Sequence, residues 1–167
     1  MSLWMVRAGS KGEYEQEALN KGIVAIVFDA PNLTHFASKK SLKKMYSRVH
    51  PNATRAAVGN LVGQMWRFAK DIETGDLVVL PLKAQKTIAV GRVIGDYEFR
   101  ASEKKLKHIR RVAWLKTIPR SRFDQDLLYS LGSFMTVCQI KRNDAENRIV
   151  RLADVVNDEG LHAGITL

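Results

Sequence analysis

Apolar positions along this chain switch between a two-residue and a three-to-four-residue period, and the switches outline its elements. Trp4 to Ala8 predicts a first strand, followed by a flexible turn over Gly9 to Gly12. Glu13 to Lys21 predicts a short helix stopped by Gly22, and Ile23 to Phe28 a buried strand. Ser38 is placed to cap a basic helix with Leu42, Met45, Tyr46 and Val49 on its apolar side, ended before Pro51. A third helix is expected from Ala56 to Asp71, with a wide apolar face interrupted by Gly59 and Gly63.

Two β-branched runs follow, Leu77 to Leu80 after Gly75-Asp76, and Ile88 to Tyr97 with Gly91 and Gly95. They read as a hairpin within a small closed barrel. Ile109 to Lys116 predicts another strand, Asp124 to Leu131 a short helix, and Phe134 to Ile140 a last strand. Beyond Lys141 the pattern turns polar before a modest amphipathic stretch from Ile149 to Val156. The expectation is one α+β domain over residues 1–141, with about six strands in a mixed barrel and short helices around it. Residues 142–167 are expected to form a C-terminal extension or linker.

Composition narrows the function. With 167 residues the chain suffices for one domain with a proper core, and no apolar run approaches the ~20 residues of a membrane-spanning helix. No secretory signal opens it, so a cytoplasmic location without membrane attachment is expected. The lone Cys138 excludes an internal disulfide and, with four scattered histidines, offers no metal set or cofactor motif. Lys and Arg total 27 against 17 acidic residues, a net charge of +10 that favours polyanions such as nucleic acid.

Catalytic arrangements are weak. Cys138 sits within an apolar run, and no histidine has a partner at a fixed spacing. Glu103-Lys104-Lys105, with Asp96 upstream, matches the short acidic-x-Lys core of magnesium-dependent nucleases, a tripeptide common by chance. An enzyme is therefore not expected, and a small nuclease using Asp96, Glu103 and Lys105 is the alternative. Binding features are richer. Trp4, Trp66 and Trp114 each have arginine nearby, and flat rings stack on unpaired bases. Asn60 and Gln64 lie one turn apart on a mainly apolar helix, where polar amides need partners. Lys43, Lys44, Arg100, Lys104, Lys105 and Arg110 are candidates for phosphate contacts.

Trp4-Met5-Val6-Arg7-Ala8-Gly9, Gly59-Asn60, Arg67-Phe68, Gly75-Asp76-x-Val78-Val79, Val90-Gly91-x-Val93-x-Gly95-x-Tyr97 and His108-x-Arg110-x-Val112-x-Trp114 occur in that order. Over residues 4 to 140 the series resembles the N-terminal domain of some Mrr-type bacterial restriction endonucleases. That domain is similar to the EVE and YTH domains of the PUA superfamily, pseudo-barrels that hold a flipped, often modified base. The resemblance implies a PUA-like reader of modified DNA, the specificity module of a restriction-type system. A separate nuclease or effector subunit would act with it, since residues 141–167 are too few for a nuclease. RNA is the alternative ligand on the same fold. Mapped onto this chain, the implied base pocket comprises Arg7, Ala8, Gly9, Phe28, Asp29, Asn60 and Gln64, with Trp66 nearby.

Overall fold

In the computed structural model, which describes residues 1–132 and 135–164, the chain forms an α+β fold around one mixed sheet. The elements are β1 (Leu3–Val6), α1 (Glu15–Lys21), β2 (Ile23–Ile26), α2 (Lys39–Val49), α3 (Arg55–Trp66), β3 (Leu77–Leu82), β4 (Thr87–Val93), β5 (Glu98–Phe99), β6 (His108–Pro119), α4 (Gln125–Ser130), β7 (Val137–Gln139) and α5 (Ala145–Gly164). Hydrogen bonding orders the strands β2-β6-β4-β3-β1-β7, with the two-residue β5 beside β6. Only β1 and β3 run parallel. The expected α+β class with a mixed sheet and short helices is the architecture observed, the sheet forming a half-barrel rather than the closed barrel expected.

Most strand residues are buried on both faces of the sheet, which is why the runs read as almost continuously apolar. Trp4, Val6, Val24, Ile26 and Val78 pack against Leu42, Tyr46, Val62 and Met65 from α2 and α3. Leu3, Met5, Leu77, Val79 and Ile118 pack against α4 and α5. Ser38 caps α2 through a reciprocal hydrogen-bonded box with Ser41, and Thr54 caps α3. A β-bulge between Val90 and Gly91 bends the hairpin. A Cβ at Gly91 would press on the Val112 and Trp114 side chains, so only glycine fits there.

Three differences from the sequence reading bear on the site and its support. The third helix loosens into a π-helical turn over Arg67–Asp71. Arg110 stabilises that turn, its Nη1 donating to Phe68 O at 3.2 Å and to Ile72 O at 2.5 Å. The last strand is shorter than expected, and its expected start at Phe134 lies outside the described residues. Packing also does not follow the expected division at 141/142. Ala145, Ile149 and Ala153 of α5 enter the same core as Leu3 and Met5. Arg148 anchors α5 to α4, donating to Asp124 and Asp126 at 2.9 and 2.6 Å. The first half of the segment expected to be an extension or linker therefore packs as an extension on the globular body. Among the described residues no helix is long and apolar enough to cross a membrane.

Candidate nucleic-acid interface

The barrel has a seam. β2 is hydrogen-bonded along one edge to β6, while β1 is bonded on both sides, to β3 and β7. Among the described residues the second edge of β2 has no strand partner, and it faces the end of β1. Gly9, at φ +89°, turns the chain away from β1, and a Cβ there would strike the Glu13 carboxylate. Between these segments opens a hollow of about 250 Å³. That is below the ~300–1,000 Å³ typical of sites for drug-sized ligands, and it suits a single ring system.

One wall of the hollow is Ala25 to Phe28 and the other is Arg7, Gly9 and Thr136, with Glu13 and Tyr14 at the side. The Arg7 N–H donates to Thr136 O at 2.9 Å, which keeps the two sides of that wall together. Its guanidinium Nη2 donates to Leu131 O at 2.8 Å. Burial lowers the Arg7 pKa, opposed by Cys138 and Glu15 nearby. Glu13 accepts from the Lys11 N–H at 2.8 Å, and backbone hydrogen bonds hold its carboxyl below the usual carboxylate range.

Of the eight pocket candidates, the structure brings Arg7, Gly9 and Phe28 to the hollow. Ala8 lies between two of them but is buried against α1. Asp29 follows Phe28 and points to His50, 3.8 Å away at the end of α2. Gln64 is a correction. It is buried, and its Oε1 accepts from the N–H groups of Thr136 and Val137 at 2.8 and 3.0 Å. Its Nε2 donates to Asn60 Oδ1 at 3.4 Å, so the amide fastens α3 to β7 and leaves no edge for a base. Asn60 itself is exposed, and Trp66 stands apart from the hollow beneath Lys70. The sequence reading missed Thr136, Tyr14 and Glu13. The one signal available for them was the Gly9 to Gly12 turn, which had to return the chain to the end of β1.

The phosphate candidates divide. Lys43 and Lys44 line a groove between α2 and α3. Lys104 and Lys105 are exposed on the β5–β6 loop, where Arg100 lies 3.8 Å from Glu98. Arg110 is a second correction. It is 2% exposed, and its guanidinium is spent on the carbonyls of Phe68, Ile72 and Gly95. Its donors are already committed to the main chain rather than offered to a phosphate.

The nuclease set is not assembled. Asp96 borders a separate hollow beside Arg110 and Tyr97, whereas Glu103 sits in the turn after Arg100. Among the described residues no three of His, Cys, Asp and Glu gather where they could hold a metal ion. A wider hollow of about 730 Å³, lined by Tyr129, Cys138 and Lys141, follows the outer edge of β7 and includes none of the sequence-predicted site residues.

Behind the hollow, Tyr97 Oη accepts from the Leu33 N–H at 3.1 Å and lies 2.7 Å from His108 Nδ1. The phenol and the ring nitrogen share a hydrogen bond whose donor is set by the tautomer of the ring. His108 is buried and faces the Ala30 and Phe28 carbonyls. It thus lies behind the segment that carries Phe28.

Comparison with curated proteins gives no match. Among solved structures, the chain is similar to the YTH domain-containing protein mmi1 in its RNA complex, at 11% identity and a TM-score of 0.48, over 96% of this chain and 86% of that one. It is also similar to the YTH domain of the Zygosaccharomyces rouxii MRB1 protein in complex with N6-methyladenosine RNA, at 11% identity and a TM-score of 0.46, over 91% and 86%. A family model described as Domain of unknown function (DUF8426) matches residues 4–141, from β1 to just past β7, and the chain belongs to that family.

Proposed function

We propose that this chain binds nucleic acid and takes one unstacked base, modified in its preferred target, into the hollow at the seam, without cutting the strand. The observation that carries the reading is the unpaired edge of β2 beside a hollow of about 250 Å³ with Phe28 on its wall. Main-chain groups along such an edge supply fixed donors and acceptors, and an aromatic face supplies stacking. Extruding the base costs a few kcal/mol, least for a damaged, mismatched or single-stranded target. The ionisable pair in the hollow, Arg7 and Glu13, is held by Leu131 O and the Lys11 N–H, an arrangement for fixing shape rather than for moving protons.

Direct binding tests this. Labelled RNA and DNA oligonucleotides, each with and without a single modified base, are titrated and then competed against one another. The competition decides which polymer is preferred, and with it whether a place in a restriction-type system, beside a separate nuclease subunit, stands. The modified strand is expected to bind at least about tenfold tighter, a difference of ~1.4 kcal/mol. Phe28→Ala is expected to weaken it by ~1–3 kcal/mol, the value of one base–aromatic stack. Equal affinities across the panel, unchanged by Phe28→Ala and by a hollow-filling Thr136→Trp, would overturn the reading.

A further inference from the structure

We infer that the groove between α2 and α3 is a phosphate track, which holds the backbone of the strand whose base enters the seam hollow. The inference rests on the nucleic-acid reading above and adds a site to it. Its first support is the distribution of charge. Residues 30–70 contain eight of the 27 cationic residues and none of the 17 acidic ones. Most of the surplus of +10 therefore belongs to α2, α3 and their flanks.

Geometry gathers half of those cations in one place. Lys40, Lys43 and Lys44 from α2 face Arg55 from the first turn of α3 across a groove of about 440 Å³, floored by Val58 and Gly59. Among the described residues none of these four side chains makes an ion pair or hydrogen bond. Elsewhere, Lys21, Arg111 and Arg148 each hold a carboxylate. Folding does not explain the lysines, because Lys39 with Lys43 and Lys40 with Lys44 are like charges at i,i+4, which oppose the helix. Nor does it explain Gly59. A Cβ there would meet nothing within 4 Å, and glycine is a poor helix former, so the fold would accept alanine. A ligand backbone lying close against the helix does call for glycine.

The helices of the groove touch the segments that wall the hollow. His50, at the end of α2, lies 3.8 Å from Asp29, the residue after Phe28. Gln64, on α3, holds Thr136 on the opposite wall. A membrane surface is the other common partner of a basic helix, but it needs an apolar face to enter the headgroups. The apolar Leu42 and Tyr46 of α2 are buried in the core, and the exposed side carries Lys39, Lys40, Lys43, Lys44, Ser47 and Arg48, with Val49 at its last position the one apolar side chain exposed, too little for an apolar face.

The test compares the salt dependence of binding to a labelled single-stranded oligonucleotide about a dozen nucleotides long, in RNA and DNA forms. The proteins are the parent, Lys40→Gln/Lys44→Gln, Arg55→Gln, Lys104→Gln/Lys105→Gln and Phe28→Ala, each checked for an unchanged thermal transition. Losing two phosphate contacts lowers the slope of log K against log salt by about 1.4, and weakens binding about 25-fold at 0.1 M salt. Losing the one contact of Arg55 weakens it about fivefold. These losses are expected to be the same for modified and unmodified strands, while Lys104→Gln/Lys105→Gln, which removes equal charge from the β5–β6 loop, is expected to lose clearly less than the groove pair.

Equal losses from both lysine pairs, no loss from the groove variants, or no binding by the parent protein would overturn the track. So would capture of the parent by phosphatidylserine vesicles with no uptake of either oligonucleotide. Groove losses alongside affinities that ignore both the modification and Phe28→Ala would sustain the track and remove the hollow reading alone.

Discussion

Asp76 shows how much of the chain's motif content is bracing. Its buried carboxylate accepts from the Trp4 indole at 2.9 Å, the Ser2 N–H at 3.0 Å and the Glu73 N–H at 2.9 Å. Trp4 and the Gly-Asp pair, which the sequence reading separated into a base-stacking candidate and a strand signal, are thus two halves of one contact. Trp114 is likewise occupied, donating to Ala18 O at 3.0 Å. His108 carries a pH consequence. Burial lowers its pKa below the ordinary 6.5, with the Ala30 and Phe28 carbonyls pulling the other way. The unfolded chain therefore binds the proton more readily than the fold does. Stability is complete above about pH 6.5 and falls as pH drops through that value toward the lower folded pKa. Tyr97, raised to about 12 by burial, stays protonated throughout and keeps its hydrogen bond to the ring. Urea denaturation between pH 5 and 8 is expected to show this slope in the parent and a flatter one in His108→Gln, whose amide does not titrate and offers both a donor and an acceptor to Tyr97. Identical slopes would show that His108 does not carry the effect.

Among elements, the joint between α3 and β7 deserves the closest test because it forms one wall of the hollow. An apolar helix bearing two amides had to satisfy them somewhere, and that much was readable. The partner was not, because Thr136 lies 72 residues farther along the chain. Gln64→Ala leaves the Thr136 and Val137 N–H groups without their acceptor, at a cost of ~1–3 kcal/mol for each buried donor that finds no other. Asn60→Ala, at an exposed position, is expected to stay within ~0.5 kcal/mol. Chemical denaturation of the two variants separates these roles. Similar small losses in both would mean that the joint is not held by the Gln64 amide.

For the whole molecule, the consequential difference lies at the C-terminus. A polar interval after Lys141 looked like the end of a domain, yet α5 closes the face of the sheet opposite α2 and α3. Ile149 is fully buried there, so Ile149→Ala is expected to cost ~2–5 kcal/mol, a large share of a small domain's stability. A change near zero in the urea midpoint would show that α5 does not dock as described. The cations divide at this scale too. One group lines the α2–α3 groove, another stands near acidic partners on the β5–β6 loop, and Arg110 is interior.

The sequence alone determined what depends on near neighbours: the strand and helix periods, the Ser38 cap, the glycine stops, the α+β class and the cationic surplus. These follow from interactions within a few residues, or from composition, and need no knowledge of the path of the chain. Only the tertiary structure decided that Gln64 and Arg110 are spent on main-chain groups, that Thr136 rather than Asn60 borders the hollow, and which lysines share a groove. Those outcomes depend on segments tens of residues apart meeting at a seam, where a polar side chain that could have served a ligand is claimed instead by the nearest unsatisfied backbone group.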